Sequence, residues 1–325
     1  MTTQELPPPP VGKKGWPWDE TVAGNGGLSG IPPLPRISIT TPSFNQGIFL
    51  EETIRSVLLQ NYPLLEYVII DGGSTDESVD IIKKYEPWLD HWVSERDSGQ
   101  SEAINKGWLR SRGDILAWIN SDDLYHPGAL FKVGKFFEQH PDVDMLYGDC
   151  DIIDENGAFI RPAPTQPFDL KPLVCNKWFI PQQSTFIRRR VFEQIGRIDQ
   201  DLHLIMDWEY WLRIALNHFK IAYFPERLAS FRRYEQAKTS LQNETSGREK
   251  LRVLNGVFGN RNFAASIGPY RRQAFGYVNK WTGEACRKNG KRGVALYYFI
   301  KAALHSPYLL KDPYFIKTVR SCLPL

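Results

Sequence analysis

The chain has few cysteines, no long apolar run and no recognisable secretion signal. Its four cysteines, Cys150, Cys175, Cys286 and Cys322, are widely separated and form no CxxC pair. This spacing argues against a disulfide framework and a structural zinc site, and it predicts four free thiols. No apolar stretch approaches the roughly 20 residues of a membrane-spanning helix, and the first ten residues lack a basic segment followed by an apolar one. We therefore expect a cytoplasmic protein.

Several catalytic motifs are also missing. No GxxxxGK[ST] occurs, which argues against a P-loop ATPase or kinase, and no GxSxG occurs, which leaves covalent hydrolase chemistry unsupported. The six histidines have no metal-ligand spacing, and we interpret His126 as a turn residue. The segment AGNGGLSG resembles GxGxxG, but Ser29 replaces its last glycine and no strand precedes it. We interpret that segment as a linker.

The composition is that of a folded, aromatic-rich protein with an uneven charge distribution. The 325 residues are 42% hydrophobic, 13% aromatic and 24% charged, enough for one large domain or two smaller ones. The formal net charge is only +3, but residues 227–325 contain 19 Lys and Arg against 5 Asp and Glu, a charge of +14. Residues 1–226 carry the balance of −11. The two parts are expected to meet different partners.

Residue patterns divide the chain into successive regions. Residues 1–35 are rich in proline and glycine, which predicts a flexible arm. From Arg36, short β-branched runs alternate with helical periods, which predicts parallel strands joined by helices in an open, doubly wound α/β sheet. The predicted strands are 37–42, 66–71, 91–95, 114–120 and 143–149. Helices are expected between them, with a capping box of Ser74 and Glu77 opening the second.

The pattern changes after residue 150. Asn156 and Gly157 between two apolar runs predict a hairpin, and a mixed α+β region follows. It includes strands at 182–189 and 220–224 and a helix at about 207–217. Beyond residue 240 the sequence is basic and is predicted to be mostly helical. We predict a domain at 36–235, made of a nucleotide-binding half at 36–150 and an acceptor half at 151–235, and a basic helical extension at 236–325.

Acidic residues follow two of the predicted strands. Asp71 ends one strand before Gly-Gly-Ser, and Asp122 and Asp123 follow another. Ligands of open parallel sheets bind at the carboxyl ends of the strands, where these side chains are expected. Taken singly, Asp71 could cap a helix and the pair could form a turn. Together they predict an oxygen site for Mg²⁺ or Mn²⁺ with a diphosphate, and hence a nucleotide.

Six segments in order resemble the family 2 glycosyltransferases, which have the nucleotide-sugar-binding GT-A fold. The segments are ITTPSFNQ, VIIDGGSTDES, SERDSGQSEAINKG, LAWINSDDLYHPGAL, QQSTFIRR and DWEYWLRI, and the resemblance covers roughly residues 36–235. It implies a Rossmann-like, mostly parallel sheet. It also implies that Asp71 contacts the nucleobase and that Asp122 and Asp123 hold ribose and metal. Pro42, Ser43 and Asp97 are implied to line the nucleotide pocket.

The chain departs from the family pattern at two positions. Many members have two aspartates where this chain has Asp71 and Gly72, which leaves the donor base open. Many have an aspartate where this chain has Asn120, so that metal binding is expected to depend mainly on Asp123, which we expect to be an exposed carboxylate.

A hydroxyl acceptor needs a general base as it attacks the anomeric carbon. The resemblance places this role on Asp207, which starts the predicted helix DWEYWLRI. The alternative for Asp207 is a carboxylate that favours the helix dipole at that terminus. Glu209 is the second candidate for the base.

The predicted function is that of an inverting glycosyltransferase. The donor would be a nucleotide-diphosphate sugar with UDP, GDP or dTDP, and the acceptor a glycan or a lipid-linked molecule. Its setting would be bacterial surface polysaccharide or glycolipid synthesis, with Mn²⁺ or Mg²⁺ as cofactor. Alternatives are a sugar-phosphate nucleotidyltransferase and a non-catalytic basic nucleic-acid-binding module; no nucleic-acid-reading motif supports the latter, and we expect no nucleic-acid partner.

The basic C-terminal part has two interpretations. It is a solvated helical surface, or it makes peripheral contact with the inner face of the membrane. The membrane interpretation would place five apolar side chains at the headgroup boundary, with lysines and arginines facing lipid phosphates. These apolar residues are Tyr297, Tyr298, Phe299, Leu304 and Leu309.

Overall fold

The computed structural model describes residues 6–20, 34–178, 180–238 and 244–323, which divide into two units. The first unit comprises the described parts of Met1–Phe168, Ile180–His203 and Asn217–Tyr234. The second comprises the described parts of Asp169–Phe179, Leu204–Leu216 and Glu235–Leu325.

The first unit contains a nine-stranded sheet in the described residues. Its strands are β1 (Ile37–Ser43), β2 (Leu65–Asp71), β3 (His91–Ser94), β4 (Ile115–Trp118), β5 (Leu124–Tyr125), β6 (Met145–Ile153), β7 (Phe159–Pro162), β8 (Thr185–Arg188) and β9 (Ile221–Arg232). The order is β3-β2-β1-β4-β8-β6-β9-β5, and β7 pairs with β6. The β3-β2-β1-β4 part is parallel, as is β6 with β9, whereas β8 is antiparallel to both of its neighbours. The sheet is therefore mixed.

Helices occur in both units. Those of the first unit are α1 (Gly47–Leu58), α2 (Ser78–Tyr85), α3 (Gln100–Arg110), α4 (Ala129–Gln139) and α6 (Arg189–Ile195). Those of the second unit are α5 (Leu170–Val174), α7 (Met206–Leu216), α8 (Glu244–Gly259), α9 (Ala264–Ile267), α10 (Arg271–Lys288), α11 (Arg292–His305) and α12 (Pro313–Arg320).

The core of the first unit follows from the apolar periods of the sequence. Every residue of β1 and β2 is buried, as expected of parallel strands covered on both faces. On α1, Leu50, Ile54 and Val57 recur at helical spacing and are completely buried in the same core. This packing holds the carboxyl ends of β1 and β2 side by side.

Two local predictions at turns have different outcomes. The Asn156-Gly157 hairpin is confirmed, because β6 and β7 pair and Gly157 has a φ of +86°. The capping box is wrong. Helix α2 begins at Ser78, whose amide donates to the Asp76 carboxylate at 3.0 Å, and its N-cap residue Glu77 makes no capping bond. The Ser74 hydroxyl donates to Asp71 at 2.5 Å. The Ser74 oxygen, which would accept from the helix in a capping box, accepts from the Asn45 amide at 2.8 Å instead.

Part of the predicted flexible arm is anchored on α1. The buried guanidinium of Arg55 donates to the carbonyl oxygens of Pro7, Pro17 and Trp18 at 2.7 to 3.0 Å. The indole Nε1 of Trp16 donates to the Tyr125 carbonyl at 2.8 Å. Residues within 6–20 thus contact the folded part of the first unit, and the flexibility of the arm stays a prediction. Residues 21–33 of the predicted arm lie outside the described residues.

The second unit has its own apolar core. Tyr298, Phe299 and Leu309 are buried there with Phe315, so these three are unavailable to a membrane surface, contrary to the sequence expectation. Tyr297 and Leu304 are exposed. Within the described residues, no helix is long and apolar enough to cross a membrane.

Candidate active site

The carboxyl ends of neighbouring parallel strands bring together the acidic residues predicted from the sequence. Ser43 at the end of β1 pairs with Asp71 at the end of β2, and Asp71 pairs with Ser94 at the end of β3. Pro42 lies beside Ile70 in the same register. Asp122 and Asp123 follow β4, the other neighbour of β1. This edge of the first unit is the candidate donor site.

Asp71 organises the turn that follows β2. One carboxylate oxygen accepts from the backbone amides of Gly73 and Ser74 at 3.1 and 2.8 Å and from the Ser94 hydroxyl at 2.7 Å. Gly73 has a φ of +82°, a conformation that favours glycine. The buried Asp71 side chain thus fixes the turn. Its predicted contact with a nucleobase stays a prediction.

Asp97 occupies the space beside Gly72. A Cβ atom at residue 72 would lie 3.1 Å from both carboxylate oxygens of Asp97. Asp97 also accepts from the Gly99 amide at 2.9 Å. Burial raises the pKa of Asp97, and the nearby Asp71 contributes to this increase. The glycine that departs from the family pattern therefore allows another carboxylate to approach the turn.

Ser43 supplies an unsatisfied polar atom at this edge. Its side chain is buried, and its hydroxyl has no hydrogen-bond partner among the described residues. Buried hydroxyls usually have partners, so a ligand group is one way to satisfy this one. Phe44, the next residue, is 59% exposed. A large exposed ring beside a buried hydroxyl suits a ligand with an apolar face and polar edges.

Asp123 is completely buried rather than exposed. One of its carboxylate oxygens accepts from the Arg232 amide at 2.9 Å. The other accepts from the side-chain amides of Asn120 and Gln183, both at 2.9 Å. These three neutral donors occupy both oxygens. Burial, followed by repulsion from Asp122, raises the pKa of Asp123 well above its usual range.

Asp122 is half-buried and has a different environment. One of its carboxylate oxygens accepts from the Tyr234 hydroxyl at 2.8 Å, whereas the other accepts no hydrogen bond from another residue that the structure describes. Tyr234 also contacts Gln46, which donates to the Tyr234 hydroxyl at 3.1 Å. Burial raises the pKa of Asp122. Its second oxygen is the one that could bind a cation.

The donor set fits a divalent ion that takes most of its ligands from substrate and water. Within the described residues, no cluster of three or more His, Cys, Asp or Glu side chains could hold a metal ion. Mg²⁺ commonly binds through one or two carboxylates together with substrate phosphates. Asp122 can supply such a carboxylate oxygen. The assignment of the metal to Asp123 stays a prediction, and the hydrogen bonds of Asp123 favour a positioning role for it.

Asp207 lies in the second unit, near the start of α7. Its carboxylate accepts from the Trp208 amide at 2.7 Å. Burial raises the pKa of Asp207, while the positive charges of Lys250 and Lys238 act in the opposite direction. A base with a raised pKa holds a proton more readily than an ordinary aspartate, which suits proton abstraction. Its catalytic role stays a prediction.

Helix α8 holds the segment that leads into α7. Glu249 is buried and accepts from the Leu204 amide at 3.0 Å. The next residue, Lys250, is 8% exposed, and its ammonium lies 3.5 Å from the centroid of the Trp281 ring. Burial lowers the pKa of Lys250 to about 8, against an opposing effect of Asp207. The predicted C-terminal extension therefore contributes a buried cation to the surroundings of Asp207.

Sequence reasoning missed the residues that position the two aspartates of the β4 loop. Gln183 belongs to the QQSTF segment, and the two glutamines of that segment were the sequence feature that could have identified it. Arg232 and Tyr234 carry no such signal, because they are more than 100 residues from the loop that they contact. Only the pairing of β9 with β6 and β5 brings them there.

Comparison with known proteins gives a consistent result. The model of glycosyl transferase family 2 matches residues 38–196. An uncharacterized glycosyltransferase of Mycobacterium tuberculosis is 32% identical over 184 residues, which cover 56% of this chain and 70% of the relative. A PGL/p-HBAD biosynthesis glycosyltransferase of Mycobacterium bovis is 31% identical over 187 residues, covering 56% of this chain and 71% of that protein.

Solved structures agree on the fold. The mannosyltransferase PcManGT from Pyrobaculum calidifontis, in complex with GDP-Man and Mn²⁺, superposes with a TM-score of 0.60 at 16% identity. The match covers 89% of this chain and 84% of that one. The GT-A fold predicted from the sequence is confirmed.

Proposed function

Because the chain belongs to family 2 of the glycosyltransferases, we propose that it transfers a sugar from a nucleotide-diphosphate sugar to a hydroxyl group with inversion at the anomeric carbon. Inversion requires a single in-line displacement, in which the acceptor oxygen forms a bond to the anomeric carbon as the bond to the diphosphate breaks. The acceptor proton passes to a general base. No covalent enzyme intermediate is needed.

The donor would bind at the carboxyl ends of β1, β2 and β4. The exposed ring of Phe44 and the unpaired hydroxyl of Ser43 would meet the nucleoside, with Pro42 beside them. The turn shaped by Asp71, together with Asp97, would line the same pocket. The proposal leaves open whether the nucleobase is uracil, guanine or thymine. Many family members have a second aspartate at the position of Gly72, and here Asp97 takes the space of that side chain.

A divalent metal ion would be held by Asp122 through the carboxylate oxygen that accepts no hydrogen bond from another described residue. When bound, Mn²⁺ or Mg²⁺ would neutralise the charge that develops on the departing diphosphate. The Tyr234 hydroxyl orients the Asp122 carboxylate, and the buried Asp123 fixes the loop through Arg232, Asn120 and Gln183. The solved structure of PcManGT is a complex with GDP-Man and Mn²⁺, which supports this choice of ion.

Asp207 would accept the proton of the acceptor hydroxyl. The cations of Lys250 and Lys238 favour its charged form, the form that acts as a base, against the effect of burial. Glu209 is a poorer candidate, because both of its carboxylate oxygens accept from Arg213, at 2.7 and 3.0 Å. We assign Lys250 a positioning role, in which it keeps Asp207 ionised.

The acceptor is proposed to be a glycan or a lipid-linked molecule in the synthesis of a bacterial surface polysaccharide or glycolipid. The role printed for the Mycobacterium bovis relative, PGL/p-HBAD biosynthesis, supports a glycolipid setting. The proposal keeps the cytoplasmic location expected from the sequence. Attachment at the inner face of the membrane would bring the enzyme to a lipid-linked acceptor.

The open carboxylate oxygen of Asp122 at the carboxyl edge of the sheet is the observation on which the proposed donor site depends. The test is incubation of the purified protein with Mn²⁺ and a panel of nucleotide sugars, followed by measurement of slow donor hydrolysis. We expect hydrolysis of at least one donor and its loss on chelation of the metal. Absence of metal-dependent hydrolysis of every donor in the panel would refute the proposal.

The base has a separate test once a donor and an acceptor are known. Asp207→Asn should keep donor affinity and lower turnover by about 10² to 10⁴-fold, the usual contribution of a general base. Glu209→Gln is the matched control and should retain most activity. Normal turnover in Asp207→Asn would move the role to another group, and a product with retained anomeric configuration would refute inversion.

A further inference from the structure

Helix α11, the turn at Pro307–Lys311 and the start of α12 carry an exposed apolar face on the second unit. The face consists of Tyr297, Ile300, Leu304, Tyr308, Leu310 and Tyr314, which are exposed by 52% to 70%. Exposed apolar residues are common when they are scattered singly over a protein surface. Here the six residues lie within 18 positions of the chain, and contiguous exposed apolar surface usually marks an interaction site.

The face is a consequence of the composition of α11. Ala295, Tyr298, Phe299 and Ala302 are buried in the core of the second unit. At about 100° per residue, Tyr297, Ile300 and Leu304 project from the opposite side of the helix. A helix that is apolar on all sides is normally covered on all sides. Within the described residues of the second unit, α11 is covered on one side only.

The segment that carries this face is rich in positive charge. Between residues 287 and 320 the chain has eight lysines and arginines and one acidic residue, Asp312. Lys301 lies within the face, with its ammonium 4.4 Å from the centroid of the Tyr297 ring, and Lys311 follows Leu310. A partner that satisfies the whole surface must accept apolar side chains and supply negative charge.

We propose that this face docks on the surface of an anionic lipid bilayer. The aliphatic side chains would enter the headgroup boundary, the tyrosine rings would lie at the interface, and the surrounding cations would meet lipid phosphates. Helix α11 has 14 residues and a length of about 21 Å, too short to span a hydrocarbon core of about 30 Å. It would lie along the surface.

Charge argues against the main alternative, a second copy of this chain. Self-association through the face would bring together two copies of a segment with eight lysines and arginines, one of which (Lys291) is paired with Glu244, and one acidic residue. Like charges across an interface oppose association.

The inference rests on the proposed function, because a lipid-linked acceptor would be located at a membrane.

The experiment is sedimentation of the full-length protein with vesicles of phosphatidylcholine containing roughly 30% phosphatidylglycerol, at about 50 and 500 mM salt. We expect the protein to sediment at low salt, to release at high salt and to stay in solution with pure phosphatidylcholine. The double variant Ile300→Gln, Leu304→Gln should reduce binding by about tenfold or more, because it removes two aliphatic side chains from the boundary.

The matched control is Leu109→Gln, Ile160→Gln, which alters two apolar residues of the first unit that are exposed by 52% and 51%. It should bind vesicles as the parent does. Equal binding by the parent and the Ile300, Leu304 variant would overturn the proposal, as would equal binding to neutral vesicles. A dimer in sedimentation velocity without lipid that this variant abolishes would assign the face to a second copy instead, which also overturns it.

Donor hydrolysis separates this inference from the proposed function. The reaction of a soluble donor with water needs no membrane, so the Ile300→Gln, Leu304→Gln variant should hydrolyse donor at the parent rate. Loss of vesicle binding with intact hydrolysis supports the docking surface. Intact vesicle binding in a protein that hydrolyses no donor would support the surface and count against the reaction alone.

Discussion

Replacing Lys250 by methionine should stabilise the fold and impair the enzyme. The pKa of this buried ammonium is about 8 instead of the usual 10.5, chiefly because of burial. At about 1.4 kcal/mol per pH unit, this difference corresponds to a cost of about 3 kcal/mol at pH 7. Methionine fills a similar volume without the charge but loses a cation–π contact with Trp281 of about 1 to 2 kcal/mol. The net gain in the free energy of unfolding should be about 1 to 2 kcal/mol.

The stability gained by the Lys250→Met variant should decrease as the pH rises. Below pH 8, Lys250 is charged in both the folded and the unfolded chain, so the parent bears the full cost of burying it. Between pH 8 and 10.5 the folded chain releases the proton first, and the stability of the parent rises. The advantage of the methionine variant should therefore shrink as the pH increases through this window.

Urea denaturation of parent and variant at pH 7 and 9.5 measures this effect, because the other titrating groups are common to both proteins. Lys288→Met, which alters an exposed lysine of α10, is the control and should change stability by no more than about 0.5 kcal/mol. In the activity assay, Lys250→Met should keep donor affinity and lower turnover below the parent, since Asp207 loses a neighbouring cation. A variant that is less stable at pH 7, or whose advantage is the same at both pH values, would refute the buried-charge argument.

Two further predictions concern the donor site. Asp122→Asn should abolish Mn²⁺-dependent donor binding with little change in stability. Asp123→Asn should instead reduce the free energy of unfolding by about 1 to 3 kcal/mol, because one of the three hydrogen-bond donors to Asp123 would face an amide NH₂ group. Calorimetric titration with donor and urea denaturation distinguish the two, and the reverse result would return the metal to Asp123. Gly72→Ala should weaken donor binding without unfolding the protein, because its Cβ would lie 3.1 Å from the Asp97 carboxylate and push it by a few tenths of an ångström. Unchanged affinity would count against a place for Asp97 in the pocket.

Local sequence patterns predicted the parallel half of the sheet well. The predicted strands at 37–42 and 66–71 match β1 and β2 to within one residue at each end. Their apolar runs are bounded by turn residues, so the local sequence is enough to locate both ends of each strand. The acidic residues at the strand ends follow from the same pattern, because parallel strands present their carboxyl ends at one edge.

The pairing of distant segments could not be predicted in this way. Strand β8 was recognised, but nothing in its sequence indicates that it inserts antiparallel between β4 and β6. The exposure of Asp123 was predicted wrongly for a related reason. Its burial depends on Arg232 and Gln183, which strand pairing brings to the β4 loop from distant parts of the chain.

The burial of all four cysteines gives this protein an unreactive surface toward thiol reagents. Burial also raises the pKa of Cys150, Cys175 and Cys286, and the thiolate is the form that maleimides attack. A single cysteine introduced at an exposed position would therefore be labelled selectively without removing the native ones. With a fluorophore at Tyr308→Cys, quenchers placed at known depths in a bilayer would report how far this part of the chain penetrates.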